Sequence, residues 1–572
     1  MQQAAIAEGM TQRQKLVIMG SAMLGLFLAA MDQTIVNTAL PKIVASLGGI
    51  TLFSWVVTAY ILASTSVVPI VGRLSDIFGR KWFIMSGIVL FLIGSMLSGL
   101  AQDITQLIAF RALQGLGGGT IMVSAFIIVG DLFPPAERGK WQGVNGMAFG
   151  LASVAGPGLG GLLTDYLSWR WVFYINVPIG IVALAVLWAK LPNLRYGDGH
   201  GKVDYLGAAV MLLAVVPLLL AFSWGGAQYP WTSAPIVVMF AFSALMVGLL
   251  LWVEAHAPEP IIPLHLFRSP IFTSAVILTF LTGVTMLGTL LFIPLFFQAV
   301  LQKSATFSGL TLAPMMIGAV AGSLVSGQAL SRLGGHYRWQ SLLGFVVMST
   351  GIYLLSRMDA STSTATAVRN MVITGVGIGS TIPTLVIAAQ NALPHRMLGI
   401  STSLVQFVRQ LGGTFGVALL GSLLSRQMAT GLASRLPDRV RQEVPADLLE
   451  RLADPQRLLS ADSLQGVRQA FNQLGEQGPA LFQEAFASVR EALATAISDV
   501  FLIALAISLS GLIFFVFLRE VPLRKTWGGE EAPPMPDHRP PLRFGAGGGI
   551  RAPVVDDGLS AKGGLGHPDD TS

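Results

Sequence analysis

Residues 54–101 read SWVVTAYILASTSVVPIVGRLSDIFGRKWFIMSGIVLFLIGSMLSGLA. Two apolar runs, 54–72 and 83–101, flank a short link that carries Arg73, Asp76, Arg80 and Lys81. Each run is close to the ~20 residues a helix needs to cross a hydrocarbon core of about 30 Å. Both are continuously apolar rather than alternating, so a helix is the form that satisfies their backbone groups internally. The stretch therefore predicts a membrane hairpin with a charged link at one face.

The same pattern recurs along the chain. Fourteen segments qualify, near 16–38, 54–72, 83–101, 106–129, 141–163, 170–189, 204–224, 234–253, 272–299, 307–330, 339–356, 368–389, 400–424 and 497–518. Composition agrees. Of 572 residues, 53% are hydrophobic and only 12% charged, about half the charge of a soluble domain. The 64 glycines and 30 prolines suit membrane helices, where small residues let backbones approach and neighbours satisfy kinks. The apolar N-terminal stretch is too long for a signal-peptide core, so it is expected to remain as the first span.

Basic residues set the orientation. With the N-terminus inside, the inner short segments hold fourteen Lys and Arg, from Arg13 and Lys15 through Arg73, Arg80 and Lys81 to Arg396. The outer short loops hold four: Lys42, Arg170, Lys303 and Arg357. This asymmetry explains the net charge of +6 without nucleic acid, and it predicts a multi-pass protein of the bacterial inner membrane with both termini cytoplasmic. The expected divisions are an N-terminus (1–15), a six-helix half (16–190), two inserted helices (204–254) and a second six-helix half (272–518). A Gly-, Pro- and Asp-rich cytoplasmic tail (526–572) has the composition of a disordered segment. The second half includes a long outer loop, 425–496, in which Leu481, Phe482, Ala485, Phe486, Val489 and Leu493 have helical spacing. Amphipathic helices are expected there, as a cap or as a surface for lipid or a periplasmic or cell-envelope partner.

An internal repeat supports the two halves. Leu74-Ser75 matches Leu330-Ser331, which sets Arg332 where Asp76 stands. Pro134 to Gly139 matches Pro394 to Gly399, and Arg111 with Gly117 and Gly119 matches Arg369 with Gly375 and Gly377. The fold class is thus an all-α polytopic membrane protein with fourteen transmembrane helices, two six-helix pseudo-repeat halves and two inserted helices.

An ionisable group at membrane depth is costly, and so is a functional candidate. Asp32 is the one acidic residue well inside an apolar span, in the outer third of the first. Arg111 lies at similar depth in the fourth, so the two are expected to pair. A carboxylate in that position can carry a proton: burial raises its pKa and a neighbouring Arg lowers it, so alternating exposure switches the proton on and off. A static structural pair is the other reading. Arg409, in the thirteenth span, is a third buried charge, either structural or cavity-lining.

These residues resemble the major facilitator superfamily, in particular its fourteen-helix drug:proton antiporter branch. The resemblance covers roughly residues 16–425 and the last span. Met31-Asp32-Gln-Thr-Ile-Val-Asn37 resembles that branch's first-helix motif, and Gly72 to Trp82 the superfamily's loop motif, with Asp76, Gly79, Arg80 and Lys81 in register. Leu107 to Gly115, with Arg111, resembles the fourth-helix motif. Gly150 to Gly161, with Gly156, Pro157, Gly160 and Gly161, resembles the antiporter motif of the fifth span. The resemblance implies gating by the loop cluster. Gly156-Pro157 permits a kink, and the surrounding glycines permit close approach to the other half. With Arg332 in the second copy, the stronger latch is expected in the first half.

The expected function is a proton-coupled antiporter that exports hydrophobic or amphiphilic drugs by alternating access. A cavity between the halves is expected to use Tyr60, Gln114, Asn145, Phe280, Phe292, Phe296, Gln406, Arg409 and Gln410, chosen by depth and resemblance. A lipophilic cation could compete with the proton at Asp32. Its partners are then a small hydrophobic substrate, protons and lipid. Two other readings stand beside it: a dedicated exporter of an endogenous lipid, peptide, siderophore or antibiotic, and a non-transporting membrane receptor or lipid-binding scaffold. No phosphate-binding loop occurs, since Gly201-Lys202 lacks the upstream glycine and the hydroxyl. With no cysteine and no ligand spacing for a metal, neither a cofactor nor an enzymatic activity is expected.

Overall fold

The computed structural model describes residues 9–48, 52–193, 203–226, 228–303, 305–332, 335–453 and 461–523. Among them there is no β-strand, and fourteen helices are long and apolar enough to cross a membrane. The first half comprises α1 (Gln12–Leu47), α2 (Phe53–Phe78), α3 (Arg80–Leu100), α4 (Ile104–Leu132), α5 (Pro135–Tyr166) and α6 (Trp171–Lys190). Then come α7 (Tyr205–Trp224) and α8 (Ala234–His256). The second half begins with α9 (Pro270–Leu295), α10 (Ala305–Arg332), α11 (Tyr337–Ser356), α12 (Thr364–Asn391) and α13 (Leu398–Arg435). Short helices α14 (Asp438–Glu443), α15 (Ala446–Ala453) and α16 (Ala461–Asn472) precede the last span, α17 (Gly478–Ser510).

Helix starts follow local chemistry. Thr11 and Gln14 form a reciprocal capping box for α1, and Asp103 Oδ1 accepts from Gln106 N at 2.8 Å ahead of α4, so donors that lack helical partners are satisfied. In α9, Pro294 removes a backbone donor, and the chain then widens into a π turn over Phe296–Val300.

The expected outer loop, 425–496, is shorter than its sequence suggests. Helix α13 continues to Arg435, and α17 starts at Gly478. Leu481, Ala485, Val489 and Leu493 belong to the first turns of the last span rather than to a separate helix. They are buried with Val440 and Phe471 of the short helices. The helical spacing holds, but spacing alone does not show that two helices are one. The expected tail, 526–572, lies outside the described residues.

Glycines reveal how the halves repeat. In the first half, a Cβ at Gly115 or Gly119 of α4 would strike Tyr60 or Ser64 of α2, and one at Gly117 would strike Phe91 of α3. In the second, Gly375 and Gly379 of α12 meet Met315 and Ala319 of α10, and Gly377 meets Met348 of α11. The repeat register in these helices is therefore Gly117 with Gly377, two residues from the one expected. Arg369 is not the counterpart of Arg111: it is exposed, whereas Arg111 is fully buried.

Between the halves, α2 packs on α13 and α5 on α10. Helices α7 and α8 pack on each other, and α7 reaches α2 and α13. Both ends of the described chain lie on the face that carries Gly79. Lys15 sits over the Phe133 ring at 6.0 Å, and Tyr337 Oη donates to Arg519 O at 2.8 Å.

Candidate functional site

Asp32 of α1 and Arg111 of α4 meet in an ion pair, and both are buried. Gln114, one turn beyond Arg111, donates Nε2 to Asp32 Oδ1 at 2.8 Å and accepts from the guanidinium at 2.9 Å. Asn176, in α6, reaches the same Oδ1 at 3.3 Å and Ser95 at 3.1 Å. The Arg111 guanidinium lies 4.3 Å from the Tyr60 ring centroid, and Tyr60 Oη donates to Ala29 O at 3.2 Å. Two charges without water cost several kcal/mol each, and such complete partnering is what offsets that. Tyr60 and Gln114 thus belong to the charged pair, not to a ligand cavity. Enclosed in this way, Asp32 offers no surface to a lipophilic cation in this conformation. Asn176, at the head of the sixth span, completes the cluster.

A second cluster lies on the Gly79 face. Gly79, with φ +100, turns the chain from α2 into α3, a conformation that favours glycine. Arg80 then pairs with Asp76 and with Asp131 of α4, the latter at 2.9 Å, and donates to Ser75 at 2.6 Å. The Asp76 carboxylate accepts from Gly399 N and Ile400 N, both at 3.0 Å, at the start of α13. An anion at a helix N-terminus is favoured by the free N–H groups and the dipole. Asp76 therefore ties the first half to the second. Gly72 allows the approach, because a Cβ there would strike Ser403 and lie 2.8 Å from Gly399 O. Lys81 is not in the cluster: it donates to Trp188 O at 2.7 Å. Asp131 takes part instead, since α4 returns to this face beside Arg80.

The pseudo-repeat places Ser331, not Arg332, opposite Asp76. Gly72 against Gly399 is mirrored by Gly327 against Gly139, and Ser331 Oγ accepts from Lys140 N at 3.3 Å. Close approach of α5 to the other half is made by Gly139 and Gly143, whose Cβ atoms would lie 2.6 and 2.5 Å from the Gly327 and Ser323 carbonyls. Of the expected motif, Gly150 also meets the other half, where a Cβ would strike Val320 of α10, but the glycines around Pro157 do otherwise. A Cβ at Gly156 would strike Thr34 of α1, one at Gly160 would be 2.8 Å from Ile35 O, and one at Gly161 would meet nothing within 4 Å. Gly156 and Gly160, flanking Pro157, seat α5 on α1 of its own half.

A narrow cavity lies where the halves meet. Its walls are Phe126, Phe149, Met286, Met315, Met316 and Arg409, with neighbouring small and branched residues. Arg409 and Gln406 also line an adjoining gap beside Thr279 and Thr282. Of the expected cavity residues, only Gln406 and Arg409 are there. Gln410 instead bridges the halves by accepting from Thr65 Oγ1 at 2.7 Å. Asn145 donates to Ala125 O at 3.1 Å, Phe280 packs on Phe415, and Phe292 and Phe296 are core of the second half. An aromatic residue at membrane depth serves core and cavity alike, so depth does not separate them.

Residues 22–202 and 205–417 match the family described as "Major Facilitator Superfamily". The chain belongs to that superfamily. It is a multi-pass membrane protein of a transporter family, not an enzyme. It is 37% identical over 519 residues to the "Multidrug transporter protein MdtP" of Bacillus subtilis, covering 90% of this chain and 95% of that one. It is 36% identical to "Multidrug resistance protein 3" of the same bacterium, covering 90% and 96%. The fold also matches that of the proton:xylose symporter XylE, with a TM-score of 0.52 at 14% identity, covering 71% of this chain and 88% of that one.

Proposed function

We propose that this superfamily member is a proton-coupled antiporter that exports hydrophobic or amphiphilic small molecules across a bacterial inner membrane by alternating access. The observation that carries the reading is the Asp32–Arg111 pair, a carboxylate at membrane depth held by one guanidinium and two amides. A proton on Asp32 would remove the charge that Arg111 needs, so protonation and the closed pair oppose each other. Release of that pair, coupled to rocking of the halves, ties proton entry to substrate exit. The names of the two Bacillus subtilis relatives support export of drug-like molecules.

The basic loops support a cytoplasmic Gly79 face and cytoplasmic termini. On that reading, the Asp76 latch and the Gly139–Gly327 seam close the cytoplasmic side in this conformation. The test is efflux of a fluorescent amphiphile from proteoliposomes under an imposed pH gradient. Gradient-dependent efflux that a protonophore abolishes is expected. Efflux indifferent to the gradient, or none across a broad ligand panel, counts against the proposal.

A further inference from the structure

The two arginines at membrane depth are equipped differently. Arg111 has Asp32, Gln114, the Val56 carbonyl and two aromatic rings. Arg409 donates Nε to the neutral Gln406 Oε1 at 3.1 Å, and among the described residues no carboxylate pairs with it. It lies 11 residues into α13, ~17 Å along the helix from the Gly79 face at 1.5 Å per residue. A cation there without a counter-ion is costly and marks a binding function more often than packing. Arg409 is also the one charged residue on the wall of the narrow cavity. The remaining wall is apolar and adaptable: Phe126 and Phe149 come from the first half, and Met286, Met315 and Met316 from the second.

We infer that this cavity, only about 50 Å³ in this closed conformation, recognises an amphiphilic organic anion once the halves part: a carboxylate, or a comparable oxyanion, is held by the Arg409 fork while its apolar body lies among the methionines and phenylalanines. A guanidinium presents parallel N–H groups that match a carboxylate, and the surrounding low dielectric strengthens the contact. The inference rests on the exporter reading and names its substrate class. Asp32, on this view, is reserved for the proton, and the substrate's charge is met elsewhere.

Three probes with one apolar body test it: 1-pyrenebutyrate, its methyl ester, and 1-pyrenebutylamine. Binding is measured by fluorescence on the full chain in nanodiscs, corrected against empty discs. Wild type should bind the carboxylate at least about tenfold tighter than the ester or the amine, as expected of a charge-assisted contact. Arg409→Gln should bring carboxylate and ester within about twofold while ester binding stays intact, which also shows that the variant folds. Arg409→Lys should keep a reduced preference, because a point charge replaces the fork. Failure of the carboxylate to outbind its ester in wild type, or a preference that survives Arg409→Gln, overturns the assignment. The same probes in proteoliposomes separate the two proposals. A charge preference in binding without export of any probe defeats the exporter reading alone; export of all three with equal binding defeats the anion site alone.

Discussion

Asp76 and Ser331 occupy equivalent places in the two halves, yet Asp76 receives two backbone N–H groups of the opposite half and Ser331 receives one. Asp76 takes Gly399 N and Ile400 N at 3.0 Å, and Ser331 takes Lys140 N at 3.3 Å. The pseudo-symmetric bundle therefore has an asymmetric clasp, ionic on one side and neutral on the other. Charge-assisted hydrogen bonds contribute roughly 1.5–3 kcal/mol and neutral ones about 1.

That difference predicts unequal effects on the conformational equilibrium. Asp76→Asn should favour opening of the Gly79 face by about 2 kcal/mol, a change of roughly thirtyfold, and Ser331→Ala by no more than about fivefold. The chain has no cysteine, so spin labels placed through Phe78→Cys and Trp339→Cys would report the distance across that face. Equal shifts for the two variants would show that the clasp is not what closes it.

The fifth span carries a prediction about its glycines. Gly156→Ala should destabilise the chain and reduce transport, because the new methyl meets Thr34, while Gly161→Ala, with nothing within 4 Å, should change stability by under about 0.5 kcal/mol. Gly143→Val should leave each half folded but prevent their closure at Ser323. Thermal unfolding together with transport reads all three. Loss of transport in a stable Gly161→Ala would place that glycine's contact in another conformation.

Around the buried pair, ring and hydroxyl of Tyr60 should separate. Tyr60→Phe removes one neutral hydrogen bond to Ala29 O and should cost about 1 kcal/mol. Tyr60→Ala also removes the face under Arg111 and opens a cavity, so about 3 kcal/mol or more is expected. Arg111→Lys should not rescue function, since one ammonium cannot reach Asp32, Gln114 and Val56 together. Melting and efflux of these variants side by side decide it.

How much of this was legible beforehand differs by level. Fourteen spans could be read because each is a long apolar run, and Asp32 with Arg111 because charge at membrane depth is rare. The repeat register could not. Arg111 and Arg369 both precede glycines, and only the helices those glycines touch show that Gly117 corresponds to Gly377. Lys81 looked like part of the Asp76 cluster by adjacency, but at the start of a helix its long chain turns to Trp188. Asp131 and Asn176 could not be assigned to these clusters because each stands near a helix end, where a polar residue is ordinary.

Charge movement gives a further prediction. If a proton enters as a monoanion leaves, two charges move in the same electrical sense, each worth about 2.3 kcal/mol per 100 mV. A negative interior on the Gly79 side should therefore drive export of a carboxylate more strongly than export of its ester. Potassium diffusion potentials in proteoliposomes measure this, and identical responses would contradict either the anionic substrate or the proton exchange.

The central claim is that Asp32 couples proton movement to export, and comparing exchange with accumulation in Asp32→Asn tests it most directly. The variant should still exchange labelled for unlabelled substrate across a proteoliposome membrane at equilibrium, because the halves can still rock. It should no longer concentrate substrate under a pH gradient that drives wild type. An Asp32→Asn protein that accumulates substrate like wild type would contradict the claim and place the coupling proton on another group.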